Sequence, residues 1–79
     1  MLDLKKLLTD VVTALVDEPD KVVVSVKNET EKSVVYELTV APDDMGKVIG
    51  RHGKIAKAIR TVIKAAAAPG GKKVNVEIR

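Results

Sequence analysis

The apolar residues of this chain change period in a fixed order, and that order leaves few folds open. Leu4, Leu7, Leu8, Val11, Val12 and Leu15 recur at i, i+3, i+4, i+7, i+8 and i+11, the spacing of one helix face. From Lys21 to Lys27 the period drops to two, with Val22, Val24 and Val26 alternating; β-branched residues at that period specify a strand. Asp17-Glu18-Pro19-Asp20 separates the two, because proline cannot continue a helix and disfavours helical backbone in the residue before it. Residues 28–32 form a polar connector suited to a hairpin, and Ser33 to Val40 sets Val34, Tyr36, Leu38 and Val40 on one strand face. Ala41-Pro42-Asp43-Asp44 opens a short helix whose apolar side is Met45, Val48 and Ile49 and which breaks at Gly50. A longer helix is expected from about Lys54 to Ala68, ended by Pro69-Gly70-Gly71, before a last strand from Lys72 to Arg79 carrying Val74, Val76 and Ile78.

The order α-β-β-α-α-β implies an α+β fold in which three helices cover one face of a three-stranded mixed sheet. The first two strands should pair as an antiparallel hairpin. The crossover through two helices should return the third strand parallel to the second. The 79 residues make a single domain, 1–79. A chain this short buries only about 60% of its unfolded surface, so dimerisation would be a natural source of further stability. The absence of cysteine excludes disulfides, thiolate metal sites and a cysteine nucleophile, and it fits a reducing cytoplasm. The first residues, Met1-Leu2-Asp3-Leu4-Lys5-Lys6, do not read as a signal peptide, and no run reaches the roughly 18 apolar residues of a membrane span.

A net charge of +3 conceals a strong asymmetry. Residues 1–44 hold five Lys/Arg against ten Asp/Glu, a net of −5, whereas residues 45–79 hold nine against one, a net of +8. No acid occurs between Met45 and Val76. Soluble helices usually interleave the two signs, so a long acid-free basic run points to an anionic partner.

That run begins with Gly50-Arg51-His52-Gly53. Glycine admits a ligand close to the backbone and reaches positive φ cheaply, and Arg51 and Lys54 bring positive charge to the same place. The pattern fits a loop that holds a phosphate backbone against the start of a helix. On the helix that follows, Ile55, Ile59, Val62, Ile63 and Ala66 fall on one stripe, expected to be core, with Lys54, Lys57, Arg60 and Lys64 opposite. Ala58, Val62 and Ala65 line a shoulder of small residues that another helix could approach in a dimer.

Sharper readings of the loop fail on spacing. A Walker-type loop needs G-x-x-x-x-G-K-[ST], but Gly53-Lys54 is followed by Ile55. Gly46, Gly50 and Gly53 also have the wrong intervals for a dinucleotide fingerprint. His52, the only histidine, has no nearby acid or cysteine to make it a base or a metal ligand. Asp43 and Asp44 are better read as helix-start residues than as metal ligands. No catalytic residue, metal site or cofactor is expected.

In this context Gly46-Lys47-Val48-Ile49-Gly50-Arg51-His52-Gly53, with Ile59 six residues on, resembles the V-I-G-x-x-G-x-x-I-x-x-I signature of KH domains. The element order is similar to their bacterial, type II arrangement. One departure is that the first apolar position after the loop falls on Ala56, with Ile55 beside it. The resemblance covers the whole chain and is to small stand-alone bacterial KH proteins. It implies a clamp on about four nucleotides of single-stranded nucleic acid. Gly50 and Gly53 would let phosphates approach, and Arg51, His52 and Lys54 would contact them, with Lys47 and Lys57 at the margins. Val48, Ile49 and Ile55 would lie under the bases, and the opposite wall would come from Lys72, Lys73, Val74 and the 28–32 loop. It further implies work as an RNA chaperone or post-transcriptional regulator, self-association or pairing with a larger KH-containing partner, and a part in cell elongation and division. Ribosome association fits a small basic protein of this kind. Nothing in the sequence identifies a reader of the 2′-hydroxyl, so single-stranded DNA stands as an alternative ligand to RNA. Tyr36 is the only aromatic residue, so aromatic stacking cannot dominate, and binding should depend strongly on salt.

Overall fold

Helix α1 (Leu4–Thr13) starts where Asp3 accepts a hydrogen bond from the Lys6 N–H (3.1 Å), satisfying one of the donors that a helix start leaves open. The computed structural model describes residues 3–79; the reading of the chain start at Met1 and Leu2 lies outside it. The helix buries Leu8 and Val12, with Leu4, Leu7 and Val11 partly covered. After a one-turn 3-10 helix at Pro19–Lys21, the chain forms β1 (Val23–Glu29) and β2 (Ser33–Thr39), an antiparallel hairpin. A second 3-10 turn (Pro42–Asp44) leads into the short α2 (Met45–Ile49). Helix α3 (Lys54–Ala67) and strand β3 (Lys73–Ile78) follow. The sheet order is β1-β2-β3, with β3 parallel to the central β2, as the crossover argument required.

One sheet face is dry. Val24, Val34, Tyr36, Leu38, Val74 and Val76 are buried against α1 and α3, and α2 adds Val48 by packing on α3. The opposite face carries ion pairs across the strands, Lys27 to Glu77 at 2.8 Å and Arg79 to Glu37 at 3.3 Å. No helix among the described residues is long and apolar enough to cross a membrane.

Three expectations need correction. The first strand lies two residues later than Lys21–Lys27, because a register shift between Val26 and Asn28 keeps Asn28 and Glu29 in the ladder. The connector shrinks accordingly to Thr30-Glu31-Lys32, closed by the Thr30 hydroxyl accepting from the Ser33 and Lys32 N–H groups (3.0 and 3.2 Å). Of the alternating valines, Val24 is buried whereas Val26 is exposed, next to the register shift. Finally, the buried stripe of α3 is Ala56, Ile59, Ile63 and Ala67, whereas Ile55 and Val62 are 36% and 47% exposed. The small Ala56 and Ala67 face inward with Ile59 and Ile63 where α3 meets its neighbours, so the helix is rolled to leave Ile55 and Val62 outside.

Candidate nucleic-acid interface

The loop between α2 and α3 is held by backbone geometry. At the end of α2 the Gly50 N–H donates to the Gly46 carbonyl (2.8 Å), and Gly50 then turns to φ 73°, ψ 175°, a region essentially reserved for glycine. A side chain there would also strike Ile55, whose Cγ1 lies 2.5 Å from where a Cβ would stand. His52 (φ 58°, ψ 24°) and Gly53 (φ 73°, ψ 13°) are both left-handed. Histidine is one of the few side-chain-bearing residues found there with any frequency. The Gly53 N–H returns to the Gly50 carbonyl (3.2 Å) and the Lys54 N–H to the Arg51 carbonyl, closing a single tight turn.

This turn delivers the chain to the N-terminus of α3 with no side chain capping it and no acid in its first turn. Open N–H donors and the positive end of the helix dipole therefore face outward beside Gly53, where a Cβ would meet no atom within 4 Å. Arg51, His52, Lys54 and Lys57 are exposed around it. Among the described residues none of these four has a carboxylate within 4.0 Å. The arrangement suits an anion laid along a chain, because the charge surrounds a concave backbone rather than a single cavity.

Other basic residues have structural partners. Lys47, expected at the loop margin, pairs with Asp17 and with Asp44 at 3.6 Å. The Asp17 carboxylate, and then Asp44, hold its ammonium charged to a higher pH than an ordinary lysine. Arg60 donates from Nε to the Val76 carbonyl (3.2 Å), joining one flank of α3 to β3. Lys72 pairs with Glu29 at 2.6 Å.

The apolar expectations divide in the same way. Ile49 and Ile55 are partly exposed beside the loop. Val48 is wholly buried and cannot touch a base; its side chain belongs to the core that seats α2 on α3. Ala56 is also buried, so the departure from the KH signature at that position alters the core and not the open surface. Ala58, Val62 and Ala65 are exposed on the other flank of α3. There Val11 and Leu15 of the α1 segment join Ile55, Ala58 and Val62 around an apolar groove of about 300 Å³.

Sequence reasoning missed the part played by Asp44. It caps no helix; it is 2% exposed and accepts from the backbone N–H groups of Asp17 (3.2 Å) and Glu18 (3.0 Å). Burial alone would raise its carboxyl, but the two N–H donors and the Lys47 ammonium outweigh that and hold it below the ordinary aspartate value. The cluster ties the end of the α1 segment to the start of α2 and so steadies the base of the loop. The only hint in the sequence is a second acid directly after Pro42-Asp43. Among the described residues no group of three or more His, Asp or Glu side chains could hold a metal ion.

Comparison with known proteins places this geometry. The family model described as KhpA/KhpB, KH domain matches residues 5–78. A relative from Clostridium acetobutylicum named RNA-binding protein KhpA is 59% identical over 75 residues, covering 95% of this chain and 99% of its own length. One of the same name from Oceanobacillus iheyensis is 51% identical over 75 residues, with the same coverage. Among solved structures, Era in complex with MgGDPNP and nucleotides 1506–1542 of 16S ribosomal RNA matches with a TM-score of 0.68 and 18% identity, over 95% of this chain and 28% of that one. A point variant of Aquifex aeolicus Era bound to GDP.AlF4- matches with a TM-score of 0.62 and 21% identity, over 99% of this chain and 31% of that one. The fold is thus the type II KH arrangement, and the chain belongs to the KhpA/KhpB family of KH-domain proteins.

Proposed function

We propose that this chain is a non-catalytic, single-stranded RNA-binding protein that clamps the sugar–phosphate backbone at Gly50-Arg51-His52-Gly53. The observation that carries the reading is the loop itself, with positive φ at Gly50, His52 and Gly53, an uncapped helix start behind it, and cations that no acid among the described residues pairs with. The name RNA-binding protein KhpA on close relatives supports RNA as the ligand. Gly50 and Gly53 shape the path, Arg51, His52, Lys54 and Lys57 face the phosphates, and Ile49 and Ile55 offer apolar contact to bases. Without aromatic platforms the binding is electrostatic in character and little selective, which suits RNA chaperoning or post-transcriptional control in the cytoplasm.

The test replaces Arg51 and His52 together by Asp and measures binding to a pool of short single-stranded RNAs. Reversing charge at two phosphate contacts should weaken binding by at least about ten-fold in dilute salt. Unchanged affinity in a folded double variant removes the loop from the mechanism. Equal affinity of the wild type for the matching DNA oligonucleotides favours the single-stranded DNA reading instead.

The exposed apolar groove between α1 and α3 supports a second role, assembly with another copy of the chain or with a larger KhpB-type protein. Val62, Leu15 and Ile55 present contiguous aliphatic surface there, and Ala58 permits close approach of another helix. Sedimentation of Val62→Asp separates the roles: a monomer that still binds RNA shows that RNA binding does not depend on assembly.

A further inference from the structure

Asp44 is the one charged side chain that is buried among the described residues, and it has no place among the groups that face the RNA. Both of its oxygens are engaged. Oδ1 accepts from the Asp17 N–H (3.2 Å) and lies 3.6 Å from the Lys47 Nζ, and Oδ2 accepts from the Glu18 N–H (3.0 Å). A buried carboxylate persists only where such donors replace the water it has lost.

Lys47 belongs to this cluster rather than to the loop. Side chains on a helix lean toward its N-terminus. Lys47 therefore leans back over Asp44, three residues before it, and away from Gly50, three residues after it. Its ammonium is shared between Asp44 and Asp17. To reach a phosphate it would have to leave a buried carboxylate without its cation, which is strongly unfavourable. What the cluster fixes is the direction of α2. The helix ends where the Gly50 N–H meets the Gly46 carbonyl, so the place of Gly50 follows the axis of those five residues. Val48 holds that axis to the core at one point, and a direction needs a second point, which the Asp44 cluster supplies at the helix start.

We propose that Asp44 and Lys47 are positioning residues for the RNA clamp: by tying the start of α2 to the Asp17–Glu18 backbone they hold Gly50 and the turn after it in the binding geometry, and neither touches RNA. The inference rests on the RNA-binding reading given above. It reverses the sign that charge alone would give. Asp44 is a negative charge at the base of a site for a polyanion, so electrostatics by itself predicts tighter binding when that charge is removed. Loss of positioning predicts weaker binding, because affinity falls in proportion to the fraction of molecules whose clamp is competent.

The experiment measures fluorescence anisotropy of a labelled octauridylate across a KCl series with the wild type, Asp44→Asn, Lys47→Gln, Lys47→Arg and Arg51→Gln, each below the onset of its melting transition. Asparagine cannot replace both carboxylate acceptors, because its amide nitrogen only donates. Asp44→Asn should bind at least about five-fold more weakly than wild type, as a clamp competent a fifth of the time would. Lys47→Gln should lose a similar factor while keeping the wild-type salt slope, and Lys47→Arg, which can still bridge both carboxylates, should restore binding. Arg51→Gln should instead make the slope shallower by about 0.7, the loss of one single-strand phosphate contact. The Lys47 side chain is half-exposed, so that pair of variants decides the matter even where Asp44→Asn does not fold. A folded Asp44→Asn that binds as well as wild type or better overturns the proposal. Unchanged affinity in Lys47→Gln overturns it too, as does a slope shallower by about 0.7, the mark of a direct phosphate contact. Those results, with Arg51→Gln behaving as a contact, leave the loop clamp standing; wild-type affinity and slope in Arg51→Gln overturn clamp and positioning together.

Discussion

Gly50 and Gly53 both have positive φ, but only one of them is crowded. At Gly50 the backbone occupies a glycine-only region and Ile55 fills the space a methyl would need, so Gly50→Ala should destabilise the protein by at least about 2 kcal/mol. At Gly53 the left-handed conformation is the only obstacle, and Gly53→Ala should cost about 1 kcal/mol. Urea unfolding of the two variants checks the contrast; equal losses would show that Ile55 does not restrain the loop. RNA binding should discriminate in the other direction, because the Gly53 methyl would project into open space beside the helix start. The sequence indicated that both glycines matter, for close ligand approach and for positive φ, but not that they differ. At Gly50 the main reason is internal, and only the position of Ile55 reveals it. Val48 teaches the same lesson, since its place beside Ile49 in the loop approach says nothing about which of the two faces the core.

Among the elements, α2 is the least able to stand alone. Five residues cannot form a stable helix without help from their surroundings. Val48 anchors it to α3 from one side, and Asp44 ties its start to Asp17 and Glu18 from the other. Because the folded carboxyl of Asp44 lies below its unfolded value near 3.8, its contribution is fully present at neutral pH and is lost as pH falls through the lower folded value. Glu77, hydrogen-bonded by Lys27 against the effect of burial, contributes to the same acid limb. Asp44→Asn should therefore be less stable at pH 7 and should lose less stability than wild type on acidification below about pH 5. Urea midpoints between pH 7 and pH 3 test this, and parallel curves for the two proteins would sink it. Element types and their order were legible from periodicity, proline and glycine. The roll of α3 was not: its apolar residues cover a stripe wide enough for either neighbouring row to turn inward. Packing against β3 and α1 selected the row with Ala56 and Ala67.

Across the whole molecule, that roll gives α3 two exposed flanks around one buried stripe, a basic flank along β3 and an apolar flank beside α1. If a second copy covers the apolar flank, the melting temperature should rise with protein concentration, and Val62→Asp should abolish the dependence. A melting temperature independent of concentration in the wild type would count against self-association. The contrast between the acidic first half of the chain and its basic second half persists in three dimensions only in part, because Asp17 and Asp44 neutralise Lys47, and Glu29 neutralises Lys72. The sequence by itself determined the six elements, the inward faces of β2 and β3, and the glycine turn leading into a basic helix, because each depends on backbone chemistry and on residues a few positions apart. The tertiary structure alone decided which cations stay free, which aliphatic side chains remain outside, and that Asp44 is a buried tie. Those outcomes depend on partners distant in the chain, such as Asp17 and Asp44, 27 residues apart, and burial and charge pairing are settled only when such segments meet.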